Sequence, residues 1–331
     1  MSIRLGDHVA QALRSGRPLL ALESTIITHG LPRPQNLEVA LATEQQVRDA
    51  GVTPATIGVL AGDIIIGLSE PELRDLALDQ TVVKLSIRDL PIAAGLGLSG
   101  GTTVAATAML ARGVGIGVFS TGGLGGVHRG AAQTLDESAD LAALARYPIV
   151  LVSAGVKSIL DIPATLERLE TLSIPVLGWR TKAYPGFYVA DSGYRLDYQV
   201  DTPEQVAAIA GARDQLGLSA ALLIARPIDA EHQLDKDLHD RVLAEGLAQT
   251  EAAGITGHDI TPFLLDYMCQ HTDGESLAAN LSAYQGNVAL GAEIAKAIGQ
   301  LAADLSQDGS RCGCGRGGGG CGCGGHGGHG A

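Results

Sequence analysis

Tyr147-Pro-Ile-Val-Leu-Val-Ser-Ala-Gly-Val-Lys157 is an apolar run of strand length that closes in small residues and then an amine. A short apolar run bounded by turn residues reads as a buried strand. A second run, Pro18-Leu-Leu-Ala-Leu22, closes the same way in Glu23-Ser24-Thr25. Open α/β sheets bind ligands outside the carboxyl ends of their strands. An amine and a carboxylate delivered to that edge could form an imine and move protons. The same two residues also read as solvated strand-end charges or as halves of an ion pair.

Working outward, strands and helices alternate without a break. Helices are expected over residues 5–15, 36–50, 70–78, 136–145, 158–171 and 202–216, and later over 231–253, 260–271 and 276–304. Strands are expected at 18–22, 56–60, 64–66, 82–85, 115–120, 149–153, 175–177 and 220–225. The stretch 23–30 reads as a turn, and so does the segment after 85, marked by Arg88-Asp89 and Pro91. This pattern predicts one three-layer α/β/α domain over residues 1–306 with a mostly parallel, mixed central sheet.

Gly100-Gly-Thr-Thr103 opens a helix to about residue 111, and can be read as a phosphate cradle or an ordinary helix start. Thr121-Gly-Gly-Leu-Gly-Gly-Val-His-Arg-Gly130 is a long glycine loop whose backbone can approach a ligand closely. Asp136 and Asp140 lie four apart, which on a helix puts both carboxylates on one face. That pairing suits a hard divalent ion that keeps its waters, or else a solvated acidic helix start.

The chain has 331 residues and is 46% apolar but only 3% aromatic, with a formal charge of -13. Such an acidic chain does not fit non-specific nucleic-acid binding. No secretory signal is expected in the polar, mixed-charge opening, and no transmembrane helix is expected, since Gly or charge breaks every apolar stretch. Cys269 is the one cysteine before the C-terminal tail, so no disulfide framework is expected, and a reducing cytoplasm is the expected compartment. From Gly309 to Ala331, 13 of 23 residues are glycine, so residues 307–331 are expected to be disordered. Cys312, Cys314, Cys321, Cys323, His326 and His329 there could bind a soft metal, or the tail could be a dispensable extension.

Several longer motifs fall in one collinear order. Ala21-Leu-Glu-Ser-Thr-Ile-Ile-Thr-His-Gly-Leu-Pro-Arg-Pro-Gln-Asn36 resembles the opening signature of the pseudouridine-5'-phosphate glycosidase (indigoidine synthase A-like) family. So do Lys84-Leu-Ser-Ile-Arg-Asp-Leu-Pro91, Ser120-Thr-Gly-Gly-Leu-Gly-Gly-Val-His-Arg-Gly130, Asp136-Glu-Ser-Ala-Asp140, Ser153-Ala-Gly-Val-Lys-Ser-Ile-Leu-Asp161 and Ser276-Leu-Ala-Ala-Asn280. The resemblance implies that Lys157 attacks C1' of an opened ribose to form an imine, and that Glu23 donates and accepts protons. It implies that Asp136 holds Mn²⁺, one ion per subunit, and that Lys84, Val104, Ser138, Ala139 and Asp140 contact the substrate. Thr121, His128 and Asn280 are expected beside the ribose or base, and a homotrimer is implied.

The implied reaction is reversible cleavage of pseudouridine 5'-phosphate to uracil and ribose 5-phosphate; in the synthetic direction it loses water, as a hydro-lyase does. The chain departs from the family pattern at Gly286-Asn287-Val288 and at Arg226-Pro227, both expected near the substrate end. Two other readings stay open. One is a C-glycoside synthase that joins ribose 5-phosphate to a modified pyrimidine. The other is a metal-binding protein acting through its tail.

Overall fold

A computed structural model describes residues 3–255 and 260–311. Its strands are β1 (Ile3–Leu5), β2 (Leu19–Leu22), β3 (Thr53–Leu60), β4 (Asp63–Ile66), β5 (Val83–Leu85), β6 (Gly100–Thr102), β7 (Val118–Ser120), β8 (Val150–Ser153), β9 (Val176–Trp179), β10 (Tyr198–Val200) and β11 (Leu222–Ala225). The helices are α1 (Asp7–Ser15), α2 (Thr25–His29), α3 (Gln35–Asp49), α4 (Glu70–Leu78), α5 (Leu90–Leu96), α6 (Val104–Gly113), α7 (Ala131–Thr134), α8 (Ala139–Leu144), α9 (Ile162–Thr171), α10 (Pro203–Gln215), α11 (Lys236–Ala252), α12 (Ile260–His271) and α13 (Glu275–Arg311).

The strands form one sheet in the order β1-β4-β3-β2-β7-β8-β11-β9-β10, with β5 and β6 branching from β3. The run from β3 through β2 to β10 is parallel, whereas β3 pairs antiparallel with β4 and β6. The side chains alternate across it. Ala21, Leu151 and Leu223 face one apolar core, with α6, α8 and α11 beyond. Leu20, Leu22, Val150, Val152 and Ile224 face the other, with α3, α4, α10 and α13 beyond. Two covered faces explain why these strands read as unbroken apolar runs. The expected three-layer architecture is the one observed. No described helix is long and apolar enough to cross a membrane.

Several local expectations change. The turn at 23–30 contains α2, and the turn after 85 winds into a 3₁₀ turn and α5. Gly100-Gly101-Thr102 is strand β6, paired with β3 and β5, and of the expected helix opening only Thr103 takes part, its hydroxyl capping α6 by accepting from the Ala106 N–H. The helix expected from 136 begins only at Ala139, because the Ser138 hydroxyl caps it by accepting from the Asp140 N–H. Asp136 is instead drawn toward the glycine loop, where its carbonyl accepts from the His128 N–H at 3.0 Å. Asp136 and Asp140 therefore do not share a helix face. At the other end, α13 carries the chain to Arg311, past the expected boundary at 306. The tail's cysteines and histidines lie outside the described residues.

Candidate active site

The chain runs from β2 through β3 and β4 to one side of the sheet, then returns to β7 on the other side of β2. The crevice at such a reversal is where an open α/β sheet places its site. Leu22 is level with Ser120, and Ser120 with Val152. Glu23, Thr121 and the loop to Lys157 thus leave one carboxyl edge side by side.

Glu23 is buried, and its carboxylate accepts a hydrogen bond from the Thr121 hydroxyl. Burial pushes its carboxyl above the ordinary range, against the opposing pull of the Lys157 charge, the Thr121 hydroxyl and Lys84. The Lys157 loop is closely held. Its N–H donates to the Leu124 carbonyl, the Leu124 N–H donates to the Gly155 carbonyl, and the Val156 N–H donates to Tyr184 Oη. Gly155 has φ +85, and a Cβ there would lie 2.7 Å from the Pro185 carbonyl oxygen, so only glycine makes this bend.

Lys84 comes from the sheet's side branch, on β5, where it is level with Gly101 of β6. Its side chain reaches solvent at the cavity mouth, but desolvation by the surrounding protein, and then the Lys157 charge, lower its pKa. Glu23, Lys84 and Lys157 sit where two cavities meet. The outer one, about 700 Å³, also takes in Val104, His128, Asp136 and Ser138. The inner recess, about 50 Å³, is closed by Thr121, Gly123, Phe187 and Asn280.

The remaining expected residues fall into four kinds. Ser138, Ala139 and Val104 line the outer cavity, and the Val104 N–H has no protein acceptor among the described residues. Such a free N–H at a helix start suits an anionic oxygen. Asp140 lines it as well, but its two oxygens accept from the Ala105 and Gly125 N–H groups at 2.9 Å each, so it braces α6 against the glycine loop. Asn280 lines the inner recess, and its buried Oδ1 has no hydrogen-bond partner.

Asp136 is partly exposed, with its carboxylate 3.8 Å from His128 Nδ1. His128 has a lowered pKa, chiefly from burial. Among the described residues, no cluster of three or more His, Cys, Asp or Glu could hold a metal. One carboxylate beside an imidazole on an open cavity fits a hard ion that keeps most of its waters, and does not fit a closed metal cage.

Sequence reading missed Phe187, and placed Asn287 near the substrate end only as part of a departure from the family pattern. Phe187 is buried at φ +69, with its ring where a Gly123 side chain would lie. Asn287 is fully buried, and its Nδ2 donates to the carbonyls of Thr121 and Gly122 at 2.8 and 3.2 Å. A polar residue on the apolar face of α13 was the available signal for Asn287; spacing offered none for Phe187. The two departures from the family pattern prove to be one feature. The Arg226 guanidinium lies over Gly286, where any side chain would collide with it, and neither residue lines the two cavities.

The family model described as indigoidine synthase A like protein matches residues 8–297. A pseudouridine-5'-phosphate glycosidase of Saccharopolyspora erythraea is 63% identical over 294 residues, covering 89% of this chain and 97% of that protein. Its counterpart in Salinispora tropica is 57% identical over 296 residues, covering 89% and 91%. Among solved structures, the prealnumycin C-glycosynthase AlnA in complex with ribulose 5-phosphate superposes with a TM-score of 0.85 at 34% identity, covering 92% of this chain and 99% of that one. An indigoidine synthase A-like protein of Thermotoga maritima gives 0.80 at 37% identity, covering 86% and 94%.

Proposed function

Since the chain belongs to the indigoidine synthase A-like family, we propose that it is a pseudouridine-5'-phosphate glycosidase, reversibly cleaving its substrate to uracil and ribose 5-phosphate. The observation that carries this reading is the meeting of Lys157, Glu23 and Lys84 at the junction of an open polar cavity and a closed recess. The bond to be cut joins ribose C1' to uracil C5, so no oxygen or nitrogen leaving group is available to protonate.

An amine solves this problem. Lys157 attacks C1' as its free amine and displaces the ring oxygen, which takes a proton from Glu23. The C1'–C5 electron pair then passes to uracil C5, which is protonated, while the lysine nitrogen lone pair forms the C=N bond. Water hydrolyses that imine to ribose 5-phosphate and restores the amine. Burial of Glu23 supports its role, because a raised pKa lets a carboxyl hold a proton for delivery. Lys84 and the free Val104 N–H suit the phosphorylated sugar in the outer cavity. The unpartnered Asn280 Oδ1 suits a pyrimidine N–H in the recess.

Asp136, with His128 beside it, would hold Mn²⁺, which when bound supplies a hard positive charge to polarise substrate oxygens. A chelator should abolish turnover and Mn²⁺ restore it; an Asp136→Ala protein that binds Mn²⁺ like the parent would move the site elsewhere. The homotrimer and a cytoplasmic location are proposed on the family resemblance and the cysteine usage. Light scattering that returned a monomer, or fractionation that placed the protein outside the cytoplasm, would overturn each in turn.

A C-glycosynthase is the second reading, favoured by the superposition on AlnA. The higher identity to the glycosidases ranks it behind. The deciding experiment supplies pseudouridine 5'-phosphate and follows uracil release, then treats the protein with ribose 5-phosphate and borohydride. One sugar phosphate should appear on Lys157. No uracil release would end the glycosidase reading, and labelling that persists in Lys157→Ala would end the imine.

A further inference from the structure

Five of the described residues line both catalytic cavities: Glu23, Lys84, Lys157, Thr25 and Thr261. The first three carry the chemistry and the anion contact derived above. Thr25 and Thr261 are half-buried, and neither hydroxyl has a part in that chemistry. Thr25 is the first residue of α2, two positions after Glu23, and Thr261 is the second residue of α12. Two elements far apart in the chain thus bring a hydroxyl each to one junction.

What occupies that junction follows from the glycosidase reading, on which this inference rests. The phosphate end suits the outer cavity and the base suits the inner recess, while C1' must meet Lys157 Nζ, so the ribose lies between them. Attack by Lys157 opens the ring, and the freed 4'-oxygen takes its proton from Glu23. The 2'- and 3'-hydroxyls are then left to find partners, as hydroxyls taken out of water must. Glu23 is already engaged by the Thr121 hydroxyl and by that proton transfer, and Lys157 by its bond to C1'. Thr25 donates to the Gly101 carbonyl at 3.4 Å, a long bond, and its lone pairs remain for a sugar O–H. Gly101 is level with Lys84 across β5 and β6, so this hydroxyl stands on the Lys84 side of the junction. The Thr261 hydroxyl has no partner among the described residues and can donate as well as accept.

We infer that Thr25 and Thr261 bind the 2'- and 3'-hydroxyls of the opened ribose, one each, while Lys157 holds C1'. Thr25 accepts from its sugar hydroxyl, and Thr261 shares a hydrogen bond with the other. A site that hydrogen-bonds a substrate hydroxyl rejects the analogue lacking it, because its own polar group is then left unpaired. The two threonines therefore select ribose 5-phosphate over 2-deoxyribose 5-phosphate and 3-deoxyribose 5-phosphate.

Borohydride trapping on the full-length protein tests it, read as the sugar concentration that half-labels Lys157. With ribose 5-phosphate, Thr25→Val and Thr261→Val should each need at least roughly fivefold more sugar than the parent, the scale of one hydrogen bond left unmade. With one of the two deoxy sugars, each Val variant should label as the parent does, because the contact it lacks is already missing. Thr261→Ser keeps the hydroxyl and should label like the parent with all three sugars, which separates a lost contact from a damaged fold. The inference is overturned if either Val variant labels with ribose 5-phosphate like the parent, if its loss is the same with all three sugars, or if Thr261→Ser labels as poorly as Thr261→Val. A parent protein that takes no label from any of the sugars would end the imine reading, and this inference with it.

Discussion

Glu23 is a carboxylate placed where charge is disfavoured. Burial raises its folded-state pKa above the ordinary 4.5 despite Lys157 and Thr121. Protonated Glu23 therefore favours the fold below about 4.5, and that contribution is lost as pH rises through the raised folded value. Glu23→Gln keeps an acceptor for the Thr121 hydroxyl but cannot ionise. Its melting temperature relative to the parent should climb as pH rises from 4.5 upward, while its turnover falls at least about a hundredfold at every pH, the usual scale for losing a proton-transfer group. A melting difference independent of pH would show that Glu23 titrates normally. The residue was visible in the sequence as a strand-end carboxylate. Its partners Thr121 and Lys84 were not linked to it by any spacing.

The glycine loop is the element that joins the site together. A Cβ on Gly125 would collide with Ser138 Oγ and lie 2.8 Å from Asp140 Oδ2. Gly125→Ala should displace both side chains and break the two N–H bonds by which Asp140 ties α6 to the loop. Overpacking of this kind costs about 1–3 kcal/mol, so the melting temperature should drop by several degrees, and kcat/KM should fall at least about tenfold. Thr202→Ala makes the contrast. Thr202 caps α10 through the Gln205 N–H and lines neither catalytic cavity, and its loss should cost about 1 kcal/mol with turnover unchanged. If both variants lose stability alike and both keep turnover, the loop does not position the site. The loop's glycines were legible as a close backbone approach, but the approach is made by the Ser138–Asp140 segment of the protein itself.

At the scale of the whole molecule, α13 spans the second core and reaches the site with Asn280 and Asn287 before it ends at Arg311. Every side chain assigned to the site precedes that end. Ending the chain after Arg311 should therefore leave turnover and melting temperature unchanged, while removing the four cysteines and two histidines of the tail. The same truncation should abolish Zn²⁺ binding by those thiolates, measured by competition with a chromogenic chelator. A collapse in turnover would show that the tail belongs to the site or to a subunit interface.

The sequence by itself determined the layered α/β architecture and the strand-end placement of Glu23 and Lys157. Both rest on local apolar runs, and a run of buried residues reports its environment without reference to distant chain. The tertiary structure decided what those two residues meet. Lys84 joins them through the β5–β6 branch, and Asn287 fixes Thr121 from a helix 166 positions away in the chain. It also moved Asp136 off the helix on which spacing alone puts it with Asp140, because pairing with the glycine loop held Asp136 outside the turn that Ser138 caps. Periodicity records which face of an element is buried. Only the order of strands in the sheet and the packing of helices upon it decide which distant side chains share a cavity.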